Sequence, residues 1–133
     1  MSQENVEVVR RVIEAWNQHD ENLAVSYMGT NIEWAPAGPA AVERTVYRGR
    51  EECSRGFAEV WETWDEFHFK ETEVRDLGDS VLWLGRVQAR GKTSHVELDQ
   101  EFAHHAVLLG GKIVQVHAFL TWREALETLG LSE

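Results

Sequence analysis

Ser94-His95-Val96-Glu97-Leu98-Asp99-Gln100-Glu101-Phe102-Ala103-His104-His105-Ala106-Val107-Leu108-Leu109 alternates with period two along its length. That is the spacing of a β-strand, whose side chains point to opposite faces in turn. One face collects Ser94, Val96, Leu98, Gln100, Phe102, His104, Ala106 and Leu108; the other collects His95, Glu97, Asp99, Glu101, Ala103, His105, Val107 and Leu109. The first set is the covered face. The second opens strongly acidic and must meet water. A long strand dry on one side and wet on the other belongs to an antiparallel sheet. On its dry side His104, with Gln100 four residues before it, is a polar intrusion.

Turn residues extend the pattern in both directions. Gly78-Asp79-Ser80, Gly91-Lys92 and Gly110-Gly111 divide strands at 67–77, 81–90, 93–109 and 113–120, which reads as a meander. The last strand offers Val114, Val116, Ala118 and Leu120 inward and Gln115, His117 and Phe119 outward. In the second, Val81, Trp83, Gly85, Val87 and Ala89 share one face, and Leu82, Leu84, Arg86, Gln88 and Arg90 the other. Upstream the period becomes helical. Val6, Val9, Ile13 and Trp16 form the stripe of a first helix. Asp20 caps a second that carries Leu23, Ala24, Tyr27 and Met28 and closes at Gly29. Ile32-Glu33-Trp34 is a short strand, and 35–41, with Pro36 and Pro39, a loop. A third helix has Cys53, Phe57, Val60, Trp61 and Trp64 as its stripe. Downstream, Thr121-Trp122-Arg123-Glu124 matches a capping box and opens a last helix ended by Gly130. Helices first and a long-stranded meander after them predict one α+β domain over 1–133, with N-terminal helices covering one face of a curved antiparallel or mixed sheet.

Composition narrows the function classes. A chain of 133 residues with 43% hydrophobic and 27% charged residues is globular rather than disordered. The net charge of −10 and the lack of a Lys/Arg cluster argue against nucleic acid and against an anionic membrane surface. No apolar run reaches the ~20 residues of a membrane span. A single cysteine, Cys53, forms no internal disulfide, and a cytoplasmic location fits. Leu82, Leu84, Ala103, Val107 and Phe119 recur on the face away from the helices, which predicts a homodimer through the outer sheet face.

The element order and several short stretches carry a family likeness. They are Tyr47-Arg48-Gly49-Arg50-Glu51, Asp76-Leu77-Gly78-Asp79, Ala89-Arg90-Gly91, Phe102-Ala103-His104, Gly111-Lys112-Ile113-Val114, Glu124-Ala125-Leu126 and Leu129-Gly130-Leu131. With them the chain resembles the SnoaL-like branch of the nuclear-transport-factor-2-like superfamily. The resemblance implies a cone-shaped α+β barrel, its sheet wrapped around an apolar pocket. It also implies where reactive groups would stand. Ketosteroid isomerases of this superfamily place a carboxylate base, a tyrosine and an acid at positions that fall here on Trp34, Val12 and His104. The Asp-Arg-Asp set of limonene-epoxide hydrolases falls on Ala118 and near Arg86 and Gln88. The last-strand Asp of SnoaL-like polyketide cyclases falls on Ala118, whereas their His is retained as His104.

The candidate ligand-binding set is therefore Trp16, Tyr27, Trp34, Trp83, Gln100, Phe102, His104 and Ala118. The tryptophans fit pocket walls and ordinary core alike. The Tyr27 hydroxyl fits a ligand contact or helix packing, and Cys53 fits the core. His95, Glu97 and Asp99 share a wet strand face, and no metal site is expected there. No phosphate loop, zinc-protease helix or nucleophile elbow is present, so no cofactor is expected. His104 is the candidate acid/base, since an unperturbed imidazole titrates near neutrality. Two readings follow: an isomerase-, cyclase- or lyase-type enzyme using His104, or a module that binds a hydrophobic small molecule without turnover. The absence of an inward carboxylate favours the second.

Overall fold

Alternation in the sequence becomes pairing in the computed structural model, which describes residues 2–41 and 45–132. The chain forms α1 (Ser2–Asn17), α2 (Glu21–Ser26), β1 (Met28–Ala35), β2 (Tyr47–Arg48), α3 (Gly49–Thr63), β3 (Trp64–Asp76), β4 (Ser80–Gly91), β5 (Glu97–Leu109), β6 (Lys112–Phe119) and α4 (Trp122–Leu129). The strands make one six-stranded sheet in the order β2-β1-β6-β5-β4-β3. β1 runs parallel to β6, and every other pair is antiparallel. The expected barrel does not close: β2 and β3 remain edges of an open sheet. The main core lies between the inner sheet face and α1 and α3. No helix among the described residues is long and apolar enough to cross a membrane.

The C-terminal turn of α1 positions much of this. His19 donates its backbone N–H to Trp16 O at 3.0 Å and Asp20 to Ala15 O at 2.8 Å, with His19 at φ 56°. This left-handed end stops the helix where it meets the sheet. Beside it, Asn17 Nδ2 donates to Phe69 O at 2.9 Å, and Phe69 N donates to Asn17 Oδ1 at 2.8 Å. One side chain thus replaces a missing strand on the free edge of β3, where unpaired backbone groups otherwise invite another chain. Arg10 adds a two-point ion pair to Glu71 on the same strand, with N···O distances of 3.1 and 3.0 Å.

Four sequence expectations change. The second helix stops at Ser26, because Ile113 N donates to Tyr27 O at 2.8 Å and Met28 already pairs with Ile113. The β6 backbone captures the chain, and Met28 becomes strand. β5 starts at Glu97; residues 92–96 turn, with His95 at φ 60°, so Ser94 and Val96 are exposed rather than inward. The β5–β6 register shifts after the Leu108–Ile113 pair. The irregularity turns Ile113 into the core in place of Val114, and Leu120 lies beyond the strand, exposed.

The fourth change concerns the outer face. Leu82, Leu84, Ala103 and Phe119 are each at most 5% exposed, because α4 folds across them with Ala125 and Leu126. Thr121 Oγ1 caps α4 by accepting from Glu124 N at 3.1 Å. Trp122 anchors it, its backbone N–H bonded to Glu101 Oε1 and its indole N–H to Gly85 O, both at 2.9 Å. The apolar patch that suggested a homodimer is satisfied within the chain by its own last helix, leaving Val107 half-buried and Leu109 exposed. Leu126→Ala should therefore destabilise the fold by about 2–5 kcal/mol. It should also raise binding of a hydrophobic dye as α4 loosens from Leu84 and Phe119. Urea unfolding and dye fluorescence measure the two effects together.

Candidate functional site

The inner face holds one apolar pocket built from every layer of the fold. α1 contributes Val9, Val12, Ile13 and Trp16, whose spacing puts them on one helix face. β1 adds Met28 and Trp34, and the following turn adds Pro36 and Ala40. Phe57 of α3 and Phe69 of β3 close two sides; Phe102, His104 and Ala106 of β5 with Ile113, Val116 and Ala118 of β6 form the sheet wall. The free volume is about 60 Å³. At ~10–15 Å³ per water-sized group, that is room for about four to six such groups, well short of the ~150 Å³ of a cavity that takes benzene.

His104 stands in the middle of the sheet wall, paired across the strands with Trp83 on β4 and Ala118 on β6. Its ring lies 4.9 Å from Phe69, 5.1 Å from Phe102 and 5.5 Å from Trp83, centre to centre. It is 8% exposed, and its Nδ1 is buried without a hydrogen-bond partner. Burial among aromatic rings pushes its pKa down to about 3, so the imidazole is neutral at physiological pH. No described charged side chain contributes to that shift. Arg86 and Arg90 of β4 pair on the outer face: Arg86 Nε bonds Asp99 Oδ1 and Arg90 Nη2 bonds Asp65 Oδ2, both at 2.7 Å, holding the two carboxyls below their usual range.

The structure brings together Trp16, Trp34, Phe102, His104 and Ala118 and leaves three expected residues outside. Trp83 is fully buried behind His104. Its indole lies over Gly85, where any β-carbon would meet the ring, so it runs along its own strand instead of into the pocket. Tyr27 is half-buried at the end of α2, its hydroxyl accepting from Arg11 at 3.3 Å. Gln100 is half-buried opposite Val87 and does not line the pocket. Phe69, Ile113 and Val116 were not singled out as site residues. The Phe67-x-Phe69 alternation carries a signal for Phe69; the strand irregularity that turns Ile113 inward leaves no mark in the sequence. Val12, Trp34 and Ala118 line the pocket with His104, and all three are without acid/base groups. Arg86 points away from it, to Asp99. Cys53 is a core residue; burial pushes its thiol up to about 12, which leaves it protonated and inert.

Comparison with known proteins agrees with this architecture. The sequence profile of the SnoaL-like domain matches residues 9–116. Among solved structures, TerC co-crystallised with polyporic acid superposes with a TM-score of 0.78 at 17% identity, over 96% of this chain and 98% of that one. A hypothetical protein from Catenulispora acidiphila, described as having a ketosteroid isomerase-like fold and bound to trimethylamine, has a TM-score of 0.77 at 17% identity, covering 95% and 94%. A nuclear-transport-factor-2-like protein from Burkholderia thailandensis has a TM-score of 0.79 at 24% identity, covering 94% and 96%. No curated protein matches the sequence.

Neutral burial of His104 has a consequence for acid stability. The folded-state pKa lies below the unfolded value of about 6.5, so the unfolded chain binds the proton first. The contribution is fully present above pH ~6.5 and is lost as pH falls toward 3, by about 1.4 kcal/mol per pH unit. His104→Phe should remove that component. Wild-type stability minus variant stability, from urea melts at pH 7, 6, 5 and 4, should become steadily less positive or more negative as pH falls; parallel curves would mean that His104 titrates normally.

Proposed function

The chain belongs to the SnoaL-like domain family, and from that premise we propose that it is a small-molecule pocket protein that holds a hydrophobic ligand without turning it over. The observation that carries this reading is the makeup of the pocket wall. Val12, Trp34 and Ala118 occupy positions where catalytic relatives would place a tyrosine or a carboxylate, and the titratable group among the described lining residues, His104, is neutral and has no charged partner among the described residues. Binding needs apolar walls and a few polar groups to orient the ligand. Proton transfer needs more. A histidine held neutral down to a pKa of about 3 is a weak base, and its conjugate acid is scarcely populated at pH 7. Fold alone does not separate the two, since one scaffold hosts many functions. That TerC was crystallised with polyporic acid and the Catenulispora protein with trimethylamine supports small organic ligands for this fold.

A second reading rests on one observation: His104 occupies the place of the polyketide-cyclase histidine and lines the pocket. In that case an isomerase-, cyclase- or lyase-type step would use it as acid/base, after a bound substrate had restored its basicity.

The readings separate experimentally. Ligand binding should quench tryptophan fluorescence through Trp16 and Trp34. His104→Phe should keep the fold and weaken binding about fivefold, the value of one hydrogen bond of ~1 kcal/mol. Steroid-enone isomerisation and limonene-oxide opening should stay at background. Turnover of any substrate that His104→Ala abolishes would overturn the binding reading in favour of the enzyme, and a ligand carried through purification, read by native mass spectrometry, would identify the probe to use.

A further inference from the structure

The chemistry of the pocket wall says more than "hydrophobic". Resting on the pocket reading above, we infer that the site selects neutral ligands that carry one oxygen acceptor, such as a ketone, ester, ether or alcohol, on a narrow aliphatic body, and that it refuses carboxylates and ammonium ions of the same size. Three observations carry this.

The first is charge. Among the described residues, those lining the pocket include no Asp, Glu, Lys or Arg. A ligand carboxylate or ammonium entering there would lose its hydration and gain no counter-charge, which costs several kcal/mol per ion. His104 does not repair this, because its own protonation is opposed by the same aromatic surroundings, Phe69, Phe102 and Trp83.

The second is the direction of the hydrogen bond. A neutral imidazole has one N–H donor and one bare acceptor nitrogen. Nδ1 is sealed off without a partner. Trp16, which lines the same pocket, also has a buried indole N–H without a partner, and an indole only donates; the assignment places the His104 proton on Nε2 and leaves Nδ1 as the bare acceptor. Unlike Nδ1, Nε2 is not a sealed unpartnered atom, and the residue lines the pocket. His104 therefore offers a donor, and a ligand answers it with an acceptor. A purely apolar molecule would leave that donor unpaired.

The third is size. About 60 Å³ admits a slim aliphatic group and not a benzene-sized ring unless side chains move.

The test uses the wild-type chain with nitrogen-15-labelled histidine and carbon-13-labelled methyl groups. Four probes of similar size are titrated by nuclear magnetic resonance: 2-butanone, 2-methylbutane, propionate and trimethylammonium. Before any probe is added, the imidazole nitrogens of His104 should report the tautomer with the proton on Nε2. 2-Butanone should shift Nε2 and the methyls of Val12, Val116 and Ala118 saturably. 2-Methylbutane should shift the methyls but not Nε2, and bind about tenfold more weakly. Propionate and trimethylammonium should shift neither. In His104→Phe the advantage of the ketone over the alkane should vanish. A proton found on Nδ1, or propionate or trimethylammonium binding as tightly as 2-butanone, would overturn the neutral-acceptor assignment while leaving the pocket reading standing. Failure of both 2-butanone and 2-methylbutane to reach the pocket methyls would overturn the pocket reading itself, and this inference with it.

Discussion

The fold turns on Trp16. Its indole, 4% exposed, meets Trp34 of β1, Phe57 and Trp61 of α3, and Phe67 and Phe69 of β3, with ring centres 5.2–6.2 Å apart. β1 lies next to one edge of the sheet and β3 forms the other. One side chain therefore ties both flanks of an open sheet to the helix packed on its inner face. Most of these contacts are edge-on or tilted, the geometry in which aromatic pairs contribute about 0.5–1.5 kcal/mol beyond their buried area. The next residue, Asn17, fixes the backbone of Phe69, so the end of α1 both fills the cone and pins its free edge. Gly56 lets α3 close in from the other side: a β-carbon there would collide with the Tyr47 and Trp34 rings.

The pocket is what that arrangement leaves unfilled. Bulky rings set edge-on around Trp16 do not tile the inner face completely, and the gap opens against His104 on the middle of the sheet. Because the same rings surround the imidazole, packing and electrostatics have one cause. The aromatic wall that stabilises the sheet keeps His104 neutral and makes the pocket hostile to charge. The protein's many carboxylates are meanwhile displayed on the outer sheet face and helix surfaces, where cross-strand arginines meet several of them. Such exposed pairs contribute little to stability individually, and among the described residues no Asp, Glu, Lys or Arg is buried.

Membership of the SnoaL-like family settles the architecture and not the chemistry. In the pocket Val12, Trp34 and Ala118 stand with His104 and carry no acid/base group. On the reading proposed above, an apolar wall around a neutral histidine would select its ligand by desolvation and hydrogen bonding.

Much of this was written in the sequence. The period of 94–109 assigned its strand to a sheet and placed His104, Phe102 and Ala106 on the inner side; the turn glycines divided the meander; the helical stripe ending in Trp16 marked the helix that fills the cone. These are local properties, set by backbone geometry and by which side of an element is apolar. Depth was beyond their reach. Alternation put Trp83 on the same face as the pocket, yet only packing over Gly85 laid its ring flat and out of the cavity. The outer-face leucines read as an exposed patch because nothing local says that a helix forty residues downstream folds back over Leu82 and Leu84. Ile113 reads as outward until the strand irregularity reverses it. A residue's face is decided by its neighbours in the chain. What covers that face, and how much room remains beside it, is decided by neighbours that only folding supplies.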